Sequence, residues 1–241
     1  MIKQIVFSIA LFIAISFFLF TVKRLYSFFK LTKPAPVKNI GKRITEMIVV
    51  SGFQSKIFRR PFIGFLHAMV FWGFMVILIG SIEMIFDGIT GREKILSFFG
   101  PVYNFFMASG DIFAYIIIIA ISVFLIRRLS GNIKRFNGPE LNHKNHFDAI
   151  IALSLILFLM VSLAAMNIYY LASPQEVYHG IYPISGLIAP LFKGMHSSYI
   201  MYEICWWSHI LLVLIFANIL PYSKHFHVFL SVPNTFLSRI E

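Results

Sequence analysis

Apolar residues occur along the chain in five long runs, separated by shorter segments that hold most of the charges. The runs cover about residues 4–22, 62–86, 105–126, 147–171 and 199–220. A helix needs about 20 residues to cross a hydrocarbon core of about 30 Å, so each run is long enough to span a membrane. Their apolar positions do not alternate, which argues against a transmembrane β-barrel. The pattern predicts an all-α, integral membrane protein, a single five-helix domain over residues 1–241.

The segments outside the runs predict a connector and a surface helix. Residues 30–36 read KLTKPAP, and their prolines predict a stiff connector that continues no helix. Residues 40–58 mix basic and aliphatic side chains, a pattern typical of an amphipathic segment in the membrane interface. A docking surface for a partner is the alternative use of that segment.

Composition and charge agree with a membrane location. The chain is 59% hydrophobic and 13% charged, with a mean hydropathy of +0.81, outside the range of an ordinary soluble domain. The net charge of +11 would suit nucleic acid, but 17 of the 21 basic residues lie in 23–60, in 127–146 and after Pro221. Five spans put these segments on one side, and the positive-inside rule makes that side the cytoplasm. We therefore expect a bacterial inner-membrane protein with its amino terminus outside, its carboxyl terminus in the cytoplasm, lipid as its anionic contact and no nucleic-acid partner.

The single cysteine, Cys205, excludes several redox chemistries for this chain. An internal disulfide, a CxxCH haem attachment and a cysteine-ligated iron–sulfur cluster each need more than one thiol. Any iron–sulfur cluster that works with this chain must belong to another polypeptide or domain.

Four histidines stand at or near the predicted spans. The stretch 206–227 reads WWSHILLVLIFANILPYSKHFH, with His209 near its start and His225 and His227 at its end. If this stretch is one helix, His209 and His227 are five turns apart on one face, whereas His225 lies about 160° away. His67 is about two turns into the second run, so the topology places it in the same half of the membrane as His227.

An ionisable or ligating side chain inside a span is costly, so these histidines are candidates for function. Paired neutral imidazoles from two helices are axial ligands of low-spin haem b in electron carriers. The alternatives are hydrogen bonds between helices, a proton relay in a transporter, or a passive membrane anchor for a soluble reductase. A transporter would usually show internal repeats or broken helices, and the sequence shows neither.

Glycines at positions 64, 73 and 80 surround His67 along the second run. A helix surface without side chains admits a neighbouring helix at close range or a flat macrocycle. Both uses are open at this stage.

Two sequence patterns resemble a known family. They are LHxxxFWGF in the second run and WWxHILLVLxFxxxLPYSKxxHxxxxxPN in and after the fifth. The patterns resemble the gamma subunits of respiratory nitrate reductases and, more closely, the membrane cytochrome b subunits of heterodisulfide-reductase-type and sulfite-reduction-associated complexes. The resemblance covers the second to fifth runs. It implies a five-helix haem b subunit of a respiratory oxidoreductase that exchanges electrons between menaquinone or ubiquinone and a cytoplasmic iron–sulfur protein or domain.

The resemblance also implies haem ligands. His67 and His227 match the pair that binds the iron of the haem nearer the cytoplasm, and His209 matches the ligand that the fifth helix gives to a second haem. The nitrate reductase branch has another histidine about ten residues beyond the first, where this chain has Ile77. One haem b is therefore expected, and two remain an alternative.

Further candidates lie near the outer ends of the spans. Opposite His209, a second haem would take its other ligand from Met107, Met166 or His196. Glu83 and His179 are candidates for handling quinone protons at the outer face.

Overall fold

Helices make up the fold in the computed structural model, which describes residues 1–31, 37–130, 143–174, 177–223 and 226–239 and contains no strand among them. Five helices are long and apolar enough to cross a membrane, namely α1 (Ile2–Phe29), α3 (Pro61–Thr90), α4 (Pro101–Leu129), α5 (His143–Ala172) and α7 (Ser198–Ile219). The shorter helices are α2 (Ile40–Met47), α6 (Ser185–Ile188) and α8 (His227–Phe236). The predicted all-α fold with five membrane-length helices is confirmed.

The helix ends follow local sequence signals. Pro61 and Pro101 occupy the first turns of α3 and α4, where the missing N–H of proline leaves no hydrogen bond unmade. α3 ends at Gly91, whose φ of 72° lies in the left-handed region that glycine adopts without strain. The first four spans extend beyond the apolar runs because the polar residues at their ends also continue the helix.

The stretch 206–227 is not one helix, contrary to the assumption behind its helical phase. α7 ends at Ile219, a short 3₁₀ turn follows, and α8 begins only at His227. Between them, Ser223 has extended backbone with a ψ of 159°. Pro221 lies in the turn, and its lack of an N–H ends the regular hydrogen-bond ladder. The five-turn count between the first and last histidines of this stretch was therefore wrong.

The long helices form a bundle in which α4 lies between α3 and α5, α5 packs on α7, and α1 packs on α3 and α7. Glycine permits two of the close approaches on α3. A Cβ at Gly73 would lie 2.8 Å from Ile117 Cδ1 and 2.9 Å from Phe113 Cδ1, and a Cβ at Gly64 would meet the carbonyl of Ile57. These two glycines serve packing within the protein. Gly80 differs, because the nearest atom to a Cβ there would be Met107 Cε at 3.9 Å.

A buried carboxyl group, Asp111 on α4, anchors the segment between α5 and α7. Its Oδ2 accepts hydrogen bonds from the backbone N–H of Ile184 at 2.8 Å and of Ser185 at 3.0 Å. Its Oδ1 accepts from the Ser185 hydroxyl and from Asn167 Nδ2. Asp111 is 1% exposed, so these four bonds replace the water that the side chain lost.

Replacing Asp111 by alanine should destabilise the protein, because two backbone N–H groups and an amide would lose their buried acceptor. We expect a loss of about 2 to 5 kcal/mol of unfolding free energy, measured by thermal unfolding in detergent. Ser109→Ala on the same helix is the matched control, since within the described residues that hydroxyl bonds only to the carbonyl of Phe106. An Asp111→Ala protein that unfolds at the wild-type temperature would contradict the anchoring role.

Candidate functional site

A cavity of about 390 Å³ lies between α3, α4, α5, α7 and α8. Its volume falls within the range of about 300 to 1,000 Å³ that is usual for small-molecule and cofactor sites. Most of its wall is aliphatic or aromatic, with side chains such as Phe71, Phe74, Ile117, Ile121, Phe124 and Leu153. Three of the histidines predicted from the sequence, His67, His209 and His227, line this one cavity.

His67 and His227 come together although 160 residues separate them in sequence. Their ring centroids are 6.3 Å apart, and their planes are inclined by 36°. The start of α3 at Pro61 sets the depth of His67, and the start of α8 sets the position of His227. His67 is half-buried and His227 is exposed. The structure therefore brings together the two residues that topology and resemblance had paired.

The spacing of these two rings suits a metal ion between them. A metal–imidazole bond is about 2 Å long and a ring nitrogen lies about 1 Å from its ring centre, so two axial imidazoles have centres about 6 Å apart. The observed 6.3 Å agrees with this value. In addition, His67 Nδ1 is buried without a hydrogen-bond partner among the described residues. The pair and the apolar walls beside it fit a haem held by two axial histidines.

The hydrogen bonds of His209 are typical of a metal-binding histidine, although its ring is not paired with that of His67 or His227. It is 1% exposed, and its Nδ1 lies 3.0 Å from the carbonyl oxygen of Leu159 and 3.1 Å from Ser162 Oγ. Because a carbonyl only accepts, Nδ1 carries the hydrogen and Nε2 carries the lone pair. Nε2 is buried without a partner in the described part of the chain. Metal-binding histidines are commonly oriented in this way by a backbone carbonyl.

A second, smaller cavity of about 40 Å³ adjoins His209. A buried water needs about 10 to 15 Å³ of such volume, so this cavity has room for a few waters and not for a macrocycle. Met107 and Met166, two of the candidate ligands opposite His209, line this cavity together with it. Ile77 borders both cavities, and its aliphatic side chain offers no ligand opposite His209.

The remaining candidates lie elsewhere. Glu83 is 2% exposed and lines the small cavity, but its carboxyl oxygens accept hydrogen bonds from the Leu96 N–H at 3.0 Å and the Tyr103 hydroxyl at 3.1 Å. These bonds tie the 91–100 segment and the start of α4 to α3. His179 and His196 are exposed, and neither is among the described residues that line the two cavities. His225 lies outside the described residues, so its exclusion as a ligand stays a prediction.

Sequence reasoning missed the polar residues of the small cavity, notably Lys94, Asp111 and Tyr182. Lys94 Nζ lies 5.1 Å from the ring centre of Tyr170 and 5.5 Å from that of Tyr182. Burial by itself lowers the pKa of Lys94, but the surrounding oxygens, that of Tyr182 first, raise it well above its ordinary value. Asp111 could have been found from the sequence, because a carboxyl group inside the apolar run 105–126 indicates a buried polar site. The burial of Lys94, in a loop, had no such signal.

Gln54 is a further missed residue, on the wall of the large cavity. It is 6% exposed, and its φ of 56° is in the left-handed region, which is uncommon for a residue other than glycine. Its Nε2 donates to the carbonyl of Ser51. Together with Ile57 it gives the cavity a wall from the segment that the sequence assigned to the membrane interface.

Comparisons with known proteins relate the chain to oxidoreductases. No protein-family model matches it, and the comparison with solved structures found no match. It is 29% identical over 232 residues, 95% of its length, to a probable iron-sulfur-binding oxidoreductase, FadF, of Bacillus subtilis (strain 168). It is 25% identical over 238 residues, 92% of its length, to the EtfAB:quinone oxidoreductase of Syntrophomonas wolfei subsp. wolfei (strain DSM 2245B / Goettingen). In both cases the match covers 32% of the other protein. The chain thus spans about a third of the length of two oxidoreductases, and neither name refers to nitrate reductase or cytochrome b.

Proposed function

We propose that this chain is a haem b membrane module that transfers electrons between a quinone in the bilayer and an iron–sulfur protein or domain. The observation that carries the proposal is the pair of imidazoles, His67 and His227, whose ring centres lie 6.3 Å apart at an apolar cavity of about 390 Å³. Both the spacing and the cavity suit a flat macrocycle with two axial ligands.

The chain's own residues would hold the group and isolate it. His67 and His227 would bind its iron, while aromatic and aliphatic side chains of α3, α4 and α5 would keep water from it. When bound, a haem with two strong axial ligands supplies one-electron transfer and has no open position for oxygen or substrate.

The two ends of the electron path are inferred from the relatives. One name includes quinone and the other includes iron–sulfur binding. A chain with the single thiol of Cys205 cannot hold a cysteine-ligated cluster, so the proposal assigns the cluster to another polypeptide or domain. The excess of basic residues at the end that carries α2 and α8 supports an orientation with that end in the cytoplasm. The His67/His227 haem would then lie on the cluster's side of the membrane.

Purified protein should show a haem b band in a reduced-minus-oxidised visible spectrum. His67→Ala and His227→Ala should each lose it, because one imidazole cannot supply both axial bonds. The controls are His179→Ala and His196→Ala, which remove exposed imidazoles that line neither cavity. The proposal fails if the wild-type protein contains no haem, and the ligand assignment fails if both cavity variants keep the wild-type spectrum.

The ratio of haem to protein should be one. Of the two cavities described, that of His67 and His227 alone has cofactor size, and Ile77 leaves no imidazole opposite His209 among the residues that line them. His209→Ala should therefore keep a ratio of one, measured by pyridine haemochrome assay against amino-acid analysis. A ratio of two that falls to one in His209→Ala would instead assign a second haem to His209, with Met107 or Met166 as the available thioether ligand.

Electron exchange with quinone should be directly observable. Menaquinol and ubiquinol analogues should reduce the oxidised haem, or the corresponding quinones should oxidise the reduced haem, when followed by absorbance in detergent or liposomes. The same additions should produce no haem signal in His67→Ala. If the haem is redox-active towards dithionite but reacts with no quinone or quinol in either direction, the quinone part of the proposal is wrong.

A further inference from the structure

Helix α8, which begins with His227, packs chiefly on α2 and on the π-helical turn Ile48–Gly52. It contacts the long helices less, so elements near the amino end of the chain determine where this helix lies. The position of the His227 ring therefore depends on whatever fixes α8 to α2 and the π-helical turn.

One guanidinium group makes much of that attachment. Arg43 Nη1 donates to the carbonyl of Phe236 at 2.9 Å and to that of Ser238 at 2.8 Å, at the carboxyl end of α8. Arg43 Nε donates to the carbonyl of Lys38 at 2.8 Å. The last carbonyls of a helix have no partner within the helix, and a cation there is favoured by the helix dipole. Arg43 thus caps a helix that lies 193 residues further along the chain.

A second attachment joins the last turn of α8 to the π-helical turn. Ser51 Oγ donates to Thr235 Oγ1 at 2.9 Å, and Thr235 Oγ1 donates to the carbonyl of Ser231 at 2.7 Å. Ser51 is 5% exposed, so this bond is shielded from water. Ser231 itself lines the large cavity together with His227. Both attachments therefore hold the carboxyl end of α8 against α2 and the π-helical turn.

We infer that Arg43 is a positioning residue for the haem ligand His227. By holding the end of α8 against α2, it keeps the His227 ring across the cavity from His67. The inference rests on the proposed function, since a ligand geometry has meaning only if a haem is bound. It gives the 40–58 segment a role beyond lying in the interface, namely support of an axial ligand.

The test compares Arg43→Gln, Arg43→Lys and Arg59→Gln in purified holoprotein. Arg59 is the matched control, because it is exposed, lies one residue beyond the 40–58 segment and makes no side-chain hydrogen bond within the described residues. The readouts are the low-spin haem signal in electron paramagnetic resonance and the midpoint potential. Helix content by circular dichroism and haem content are recorded alongside.

For Arg43→Gln we expect the low-spin signal to broaden or to convert in part to high-spin, with a shifted midpoint potential and unchanged helix content. Arg43→Lys should restore part of the signal, because an ammonium can still donate to one of the two carbonyls. Arg59→Gln should match wild type. A role limited to overall stability would lower the yield of all holoprotein without changing the spectrum of what remains.

The outcomes separate the two claims. Wild-type protein without haem overturns the proposed function, whereas wild-type haem with an Arg43→Gln signal identical to it overturns only the inference about Arg43. If Arg43→Gln does not accumulate in the membrane, Arg43→Lys decides by the same readouts, because it keeps the charge but can donate to only one of the two carbonyls. A wild-type signal and potential in Arg43→Lys would then overturn the inference.

Discussion

A bilayer core contains no water, so each polar side chain in a span must find its partner within the protein or serve a bound group. By this constraint, two kinds of buried polar residue can be distinguished in the bundle: those with hydrogen-bond partners in the protein and those without. Asp111 accepts four hydrogen bonds and Glu83 accepts two, and both connect surface segments to the helices. His67 Nδ1 and His209 Nε2 are buried with no such partner among the described residues. Backbone N–H groups and polar side chains thus satisfy these two carboxyl groups, whereas these two imidazole nitrogens are left to bind something else.

Hydropathy was sufficient to predict the five spans, because a stretch of about 20 apolar residues has few structures open to it in lipid. The pairing of His67 with His227 also followed from sequence, since alternating spans put both at the same end of the bundle. The helical phase calculated through 206–227 was wrong, because Pro221 interrupts the backbone hydrogen bonding and α8 is a separate helix that begins at His227. The pair formed despite that break, which shows that depth, and not phase, was the reliable part of the argument.

Other parts of the site depend on contacts that no local pattern reveals. Gln54 takes a left-handed backbone that neither its type nor its neighbours require, and only the packing of its segment brings it to the cavity. Lys94 belongs to a loop, where a basic residue normally faces solvent, yet it is 8% exposed beneath aromatic rings. Asp111 was different, since a carboxyl group inside an apolar run signals a buried network.

The ligand pair also sets the order in which the site can be made during synthesis. His67 enters the membrane with the second span, but α8 follows the fifth, and its attachment to Arg43 closes contacts over 193 and 195 residues. Contacts this distant in sequence form late, because the intervening chain must first be ordered. Until α8 has been synthesised, the cavity has only one of its two facing imidazoles. Under the proposed function, haem binding by this pair would follow the insertion of all five spans, and a chain truncated before α8 would lack one ligand.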